Sequence, residues 1–137
     1  MSASGTYVCL CNAVGFELTG EPALACYCHC NTCRVYGGAP ARVGAYSPEQ
    51  FKLTKGSANL ISYESGPGKI RNSCKTCGSM IYHILPNGLA VPPLGGVKWA
   101  SDGVPVVPTM HIWYGDKGLE EANDDFIKYD GFPAGFA

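Results

Sequence analysis

The cysteines of this 137-residue sequence are the residues whose type and spacing point most directly to chemistry. All eight fall in three short motifs, Cys9-Leu-Cys11, Cys26-Tyr-Cys28-His-Cys30-Asn-Thr-Cys33 and Cys74-Lys-Thr-Cys77. Thiols one or two residues apart do not easily pair with each other, but they can hold one tetrahedral metal ion from neighbouring turns of backbone. The spacing therefore predicts a zinc protein.

The two outer motifs predict a structural zinc site. Each follows a predicted strand, and turn-forming or small residues come next, Asn12-Ala13 and Gly78-Ser79. Together they supply four thiolates from distant parts of the chain, and a site whose four positions are all filled by protein is structural. The predicted ligands are Cys9, Cys11, Cys74 and Cys77.

The middle motif predicts a different kind of site. Cys28, Cys30 and Cys33 offer three thiolates on a compact loop, and zinc held by three protein ligands keeps a fourth position for water or substrate. Cys26 leaves two alternatives open, because residues two apart in an extended segment share a face. It either completes a closed four-thiolate site or lies in the core, and the core is favoured because such close ligands strain a tetrahedron.

The elements that must position these cysteines are mostly strands. Short β-rich segments alternate with turns rich in Gly and Pro, which predicts a mainly β protein. The predicted strands cover residues 7–10, 14–19, 23–27, 41–46, 59–63, 69–72, 80–85 and 104–114. Single helical turns are predicted at 32–36 and at 47–51, where Ser47 precedes Pro48. The segment 119–130 is predicted to be a closing loop or a short helix.

Composition narrows the class of protein. With 46% hydrophobic and 15% charged residues, the sequence predicts one folded domain over residues 1–137. The ten Lys and Arg residues are scattered, whereas nucleic-acid binders concentrate theirs, so no nucleic-acid partner is expected. We also expect no membrane association and a reduced, cytoplasmic protein, since neither a secretory signal nor a spanning apolar segment is visible. The oligomeric state stays open.

Three motifs give the sequence a specific resemblance. Cys28-His-Cys-Asn-Thr-Cys33-Arg34, Arg71-Asn-Ser-Cys74-Lys-Thr-Cys77-Gly78-Ser79 and the Cys-x-Cys near the start resemble the glutathione-dependent formaldehyde-activating enzyme family, which includes centromere protein V-like proteins. Met110-His111-Ile112-Trp113 and the ending from Asp124 to Pro133 are similar too. The resemblance therefore covers nearly the whole chain.

The resemblance implies a fold, a metal content and an activity. The fold would be a tent-like arrangement of two packed antiparallel β-sheets. The four outer cysteines would hold a structural zinc, and Cys28, Cys30 and Cys33 would hold the functional zinc to which the thiol of glutathione binds. The activity would join glutathione and formaldehyde into S-hydroxymethylglutathione, which makes glutathione a possible co-substrate beside two zinc ions.

A proton carrier is also needed, and the sequence contains three histidines. His29 lies between two predicted ligands and would face away from the metal in an extended segment. His83 alternates with Ile81 and Leu85, which predicts a core-side position. The resemblance places His111 near the pocket, so His111 is the predicted catalytic residue.

The predicted function is that of a zinc-dependent carbon–sulfur lyase acting on a small electrophilic metabolite or on its glutathione adduct. Many family members carry a Gly-Thr-Leu-Asp-Asp type segment where this sequence reads Pro92-Pro-Leu-Gly-Gly-Val97. Together with Trp113 and other aromatic residues, this segment could line an apolar pocket. One alternative is therefore a zinc lyase or isomerase for a bulkier metabolite without glutathione, and another is a non-enzymatic zinc-stabilised binding module.

Overall fold

The computed structural model describes residues 3–119 and 121–136. Within them the chain forms twelve strands and one α-helix. The strands are β1 (Ser4–Val8), β2 (Gly15–Thr19), β3 (Leu24–Cys28), β4 (Ala41–Ala45), β5 (Phe51–Lys55), β6 (Leu60–Gly66), β7 (Lys69–Cys74), β8 (Met80–Ile84), β9 (Ala90–Val91), β10 (Lys98–Trp99), β11 (Met110–Ile112) and β12 (Ile127–Lys128). The helix α1 spans Asn31–Gly37, and 3-10 turns cover Ser57–Asn59 and Tyr114–Asp116. The predicted mainly β class is confirmed.

The strands of the described residues form three four-stranded sheets. Their orders are β10-β1-β2-β5, β12-β11-β3-β4 and β6-β7-β8-β9. Strand β11 runs parallel to both β3 and β12, and every other pairing is antiparallel. The implied pair of antiparallel sheets is thus corrected to three sheets, one of them mixed. That sheet is mixed because the chain crosses back after β10 and places β11 beside β3 in the same direction.

Two hydrophobic clusters lie among these sheets. In the first, Phe16 and Leu18 alternate with the half-buried Glu17 along β2, so one face of that strand packs inward against Tyr46 and Ile81. The second cluster lies around β3, where Cys26 and Val43 are buried. Strand β3 is apolar at nearly every position because it lies between β4 and β11 in the middle of its sheet.

Several predicted boundaries change. The predicted strand at 104–114 is wrong except over β11, since Pro105 and Pro108 lack the N–H groups that a sheet requires. The predicted helical turn at 47–51 is a hydrogen-bonded turn, and Phe51 begins strand β5, which the sequence analysis missed. The segment 119–130 contributes strand β12, while Glu120 lies outside the described residues.

Candidate metal centres and the adjoining cavity

The four-cysteine cluster consists of Cys9, Cys11, Cys74 and Cys77, whose sulfur atoms all lie within 4.8 Å of one another. The Sγ atoms of Cys9 and Cys11 are 3.7 Å apart, and those of Cys11 and Cys74 are 3.6 Å apart. In a tetrahedral zinc site with Zn–S bonds of about 2.3 Å, neighbouring sulfurs are separated by roughly 3.8 Å. The cluster therefore fits one tetrahedral zinc ion.

Local backbone geometry turns these sulfurs toward each other. Asn12 and Gly78 both adopt positive φ, 67° and 77°, which folds each knuckle sharply after its cysteine pair. The Val14 backbone N–H donates to Cys9 Sγ at 3.3 Å, and the Asn59 side-chain amide donates to Cys74 Sγ at 3.4 Å. Such donors stabilise thiolate over thiol, the form that binds metal.

Ser79 has the same effect on the last ligand of this cluster. Its hydroxyl lies 3.1 Å from Cys77 Sγ, and this hydrogen bond is the main reason that the pKa of Cys77 falls to about 5. Cys77 is therefore prepared to ionise at neutral pH without a nearby cation.

The three-cysteine cluster consists of Cys28, Cys30 and Cys33, whose sulfur atoms also lie within 4.8 Å of one another. Cys28 ends β3, Cys30 is the N-cap of α1, and Cys33 lies in its first turn. The Cys33 backbone N–H donates to Cys30 Sγ at 3.3 Å. Hydrogen bonds from the Cys28 and Cys33 thiols lower the pKa of Cys30, so this group readily carries a negative charge. The thiol donors and their spacing fit a second zinc ion.

Cys26 lies outside this group of sulfur atoms. Its side chain is fully buried in the core around β3, and burial raises the pKa of its thiol to about 12. The arrangement agrees with the core position favoured for Cys26 and does not form the closed four-thiolate alternative.

A cavity of about 230 Å³ opens beside the three-cysteine cluster. Much of its wall is aliphatic or aromatic, contributed by Leu24, Val43, Leu85, Val91, Ile112, Trp113, Phe132 and Phe136. Of the predicted apolar lining, Trp113 takes part, whereas Leu94 lies in the other hydrophobic cluster. The three-cysteine cluster thus faces a space large enough for a small organic molecule.

Arg71 and His83 form the polar end of this cavity. Both are buried, and Arg71 Nη1 lies 3.3 Å and 3.2 Å from the two ring nitrogens of His83. Arg71 Nε donates to Ser65 Oγ at 3.0 Å, and Nη1 and Nη2 lie 4.0 Å and 3.9 Å from Cys33 Sγ. Burial and the Arg71 charge lower the pKa of His83 to about 3, so His83 is neutral at neutral pH.

The sequence pattern predicts no role for Arg71, and for His83 it predicts only a position on a core-side face. The core-side position of His83 is correct. The signal that could have identified both was the alternation along paired strands, since Arg71 and His83 are direct partners across β7 and β8.

His111 does not line this cavity within the described residues. Its Nε2 lies 2.9 Å from the partly exposed carboxylate of Asp124, and its Nδ1 lies 2.8 Å from Nε2 of His29. The hydrogen bond with His111 lowers the pKa of Asp124. The structure therefore places His111 in a chain of side chains that leads from Asp124 to the backbone between Cys28 and Cys30. Its catalytic role stays a prediction.

The chain is similar to known proteins in both sequence and fold. A sequence model of the glutathione-dependent formaldehyde-activating enzyme family matches residues 4–116. An uncharacterized lyase of Schizosaccharomyces pombe (strain 972) is 36% identical over 81 residues, 58% of this chain and 57% of that protein, so the match spans little more than half of the relative. A crystal structure of a Rhodobacter sphaeroides protein has a TM-score of 0.54 at 26% identity, covering 75% of this chain and 97% of that chain.

Among the described residues, no helix is both long and apolar enough to cross a bilayer.

Proposed function

The chain belongs to the glutathione-dependent formaldehyde-activating enzyme family, and we propose that it is a zinc-dependent carbon–sulfur lyase. Its substrates would be a thiol such as glutathione and a small electrophilic carbonyl compound, or the adduct of the two. The name of the fission-yeast relative, a lyase, supports the reaction class. The observation that carries the proposal is a three-thiol cluster, with no fourth sulfur joined to it among the described residues, on the wall of a cavity.

In this proposal one cluster binds a structural zinc ion and the other binds a catalytic zinc ion. Cys9, Cys11, Cys74 and Cys77 would hold a structural zinc, and Cys28, Cys30 and Cys33 would hold the catalytic one. When bound by three thiolates, zinc lowers the pKa of an added thiol and polarises a carbonyl group. The eight cysteines are free thiols, which is consistent with a reducing compartment such as the cytoplasm.

The surrounding residues would create the conditions for this chemistry. Leu24, Val43 and Val91 exclude water from the cavity wall, which strengthens electrostatic interactions inside it. Arg71 offsets the negative charge of the cysteine cluster, and neutral His83 holds the guanidinium in place. In the addition, the S–H bond and the carbonyl π bond break while a C–S bond and an O–H bond form.

His111 is our candidate for the residue that handles the proton. Its contacts with Asp124 and His29 connect a partly exposed carboxylate with the loop that carries the cysteines. His111→Gln should lower kcat more than it changes KM, because it would leave the cavity wall intact. A matched variant, Lys52→Gln, changes an exposed side chain on β5, a strand that carries no cysteine and does not line the cavity, and should leave both constants unchanged.

The test of the proposal is adduct formation by the zinc-loaded protein. Exchange NMR with glutathione and ¹³C-labelled formaldehyde or methylglyoxal reports the rate at which each adduct forms and breaks. We expect wild type and Cys26→Ala to accelerate exchange and Cys30→Ser to lose the acceleration. Equal rates for wild type and Cys30→Ser would overturn the assignment of the catalytic cluster.

A second candidate function is a zinc lyase or isomerase that acts on a bulkier metabolite without glutathione. The observation that favours it is the size of the apolar cavity, about 230 Å³, which far exceeds what formaldehyde fills. Turnover of a carbonyl substrate in the complete absence of added thiol would favour this candidate over the first.

A further inference from the structure

Arg71 is a buried cation without a carboxylate partner among the described residues. It is 8% exposed, and none of the ion pairs formed within residues 3–119 and 121–136 includes it. A guanidinium carries five N–H donors, and burying one without partners is costly. Ser65 and His83 each accept one of them, Cys33 Sγ lies 4.0 Å from Nη1 and 3.9 Å from Nη2, and the Tyr36 ring centroid lies 5.4 Å from the guanidinium carbon, so one Nη2 N–H has no partner among the described residues. Arg71 therefore has donor capacity left for a ligand.

Lys69 adds a second positive charge to the same strand face. It stands two residues before Arg71 on β7, and alternate residues of a strand point to the same side. Both side chains line the cavity, Arg71 buried and Lys69 exposed. Asp116 is the one acidic residue among the described lining residues, and it is exposed, so the buried end of the cavity has positive charge beside the cysteine cluster.

The rest of the cavity has the opposite character. Leu24, Val43 and Val91 line it, and so do Phe132 and Phe136. A ligand that satisfies both regions needs a charged anionic group joined to an apolar body. A carboxylate oxygen accepts a charge-assisted hydrogen bond from a guanidinium N–H, which is stronger than a bond between neutral groups.

The position of Arg71 also limits where the reactive carbon of such a ligand lies. Its Nη1 and Nη2 atoms are 4.0 Å and 3.9 Å from Cys33 Sγ. A carboxylate oxygen held by the remaining N–H of Nη2 therefore lies beside the three-cysteine cluster, and so does the carbon bonded to that carboxylate. An electrophilic carbon in that position is the carbonyl carbon of a 2-oxo acid.

We propose that the carbonyl substrate of this protein is a 2-oxo acid with an apolar side chain, held through its carboxylate by Arg71. The apolar side chain occupies the cavity lined by Leu24, Val43 and Val91. Thiol addition gives a hemithioketal: the S–H bond and the carbonyl π bond break, and a C–S bond and an O–H bond form, with no change of oxidation state. The chemistry rests on the proposed lyase function, whereas binding of the acid does not require turnover.

The binding test uses the zinc-loaded protein and three probes. The probes are 4-methyl-2-oxopentanoate, its uncharged amide and pyruvate, and calorimetry gives their Kd values. Loss of a charge-assisted hydrogen bond corresponds to about tenfold or more in affinity. We expect wild type to bind the acid at least about tenfold more tightly than the amide, and to bind pyruvate more weakly because it lacks the apolar body.

Two arginine variants assign this preference to one residue. Arg71→Met should reduce the affinity for the acid to that for the amide and leave the amide unchanged. Arg42→Met is the matched control, because Arg42 is exposed and does not line the cavity among the described residues, and it should behave as wild type. An acid preference that survives in Arg71→Met would overturn the proposal.

The remaining outcomes also decide the question. If Arg71→Met fails to fold or loses zinc, the wild-type comparison still stands, and equal Kd values for acid and amide would overturn the proposal. If wild type prefers the acid but accelerates no thiol adduct in the exchange assay, the lyase function fails while the carboxylate site is supported. The two failures are therefore distinguishable.

Discussion

The two cysteine clusters offer the same atoms to a metal but differ in what they connect. The four-cysteine cluster joins the loop after β1 to the turn after β7, and its two cysteine pairs are separated by more than sixty residues of chain. The three-cysteine cluster lies within the six residues from Cys28 to Cys33. Closing a long loop removes more freedom from the unfolded chain than closing a short one. This difference supports the proposed roles, in which the first cluster stabilises the fold and the second serves the chemistry.

The surroundings of the clusters differ in the same way. Hydrogen bonds to the four-cysteine cluster come from Val14, Asn59 and Ser79, which are neutral donors. The three-cysteine cluster has the cationic Arg71 beside it and a cavity in front of it. The number of ligands alone does not distinguish the two proposed roles. The space accessible to a ligand and the charge of nearby side chains differ between the clusters as well.

The largest expected effect comes from removing one ligand of the four-cysteine cluster. Structural zinc contributes roughly 10 to 16 kcal/mol, against about 5 to 15 kcal/mol of total stability for a protein. Cys74→Ser should therefore abolish the cooperative unfolding transition measured by circular dichroism. Lys75→Ser changes the exposed neighbour and should melt as wild type. A cooperative melt of Cys74→Ser near the wild-type temperature would remove the structural role.

The next effect separates folding from function in the three-cysteine cluster. Cys30→Ser should remain folded, because serine also serves as an N-cap and can accept the Cys33 N–H that Cys30 Sγ accepts now. Zinc measured by mass spectrometry should fall from two ions per chain to one, and thiol-adduct exchange should stop. Retention of both zinc ions with full exchange would show that the two clusters do not differ in role.

A smaller effect concerns pH and His83. Its folded pKa of about 3 lies below the ordinary value of 6.5, so the unfolded chain binds the proton more tightly. The resulting stabilisation is present above pH 6.5 and is lost as the pH falls from 6.5 toward 3. Between pH 7 and 5 wild type should lose about 2 kcal/mol more unfolding free energy than His83→Gln, as measured by urea unfolding at each pH. Identical losses in both proteins would contradict the low pKa.

The smallest expected effect tests whether Cys26 belongs to the three-cysteine cluster. Cys26→Ala removes a small buried thiol and should lower the free energy of unfolding by about 1 to 2 kcal/mol. Zinc content and thiol-adduct exchange should stay at wild-type values, because Cys26 lies outside the group of close sulfurs. Loss of one zinc ion from this variant would make Cys26 a ligand and would turn the second cluster into another closed site.

The sequence predicted the two groups of close cysteines because the cysteines within each motif are neighbours in the chain. Cys28, Cys30 and Cys33 are brought together by one strand end and one helical turn, and the knuckle turns follow from Asn12 and Gly78 next to their cysteines. Strands with clear alternation, such as β2 and β8, were also predictable. The short strands β9, β10 and β12 were not, since two residues carry no periodicity.

The mainly β class, the two groups of cysteines and the family could be predicted from the sequence alone. Each of them follows from short motifs or from patterns among residues that are close in the chain. Only the tertiary structure decided that Arg71 and His83 face the three-cysteine cluster and that His111 contacts Asp124 and His29. These placements depend on the pairing of β7 with β8 and on the parallel alignment of β11 with β3. Pairing between distant strands is set by the packing of the whole core, which no local pattern encodes.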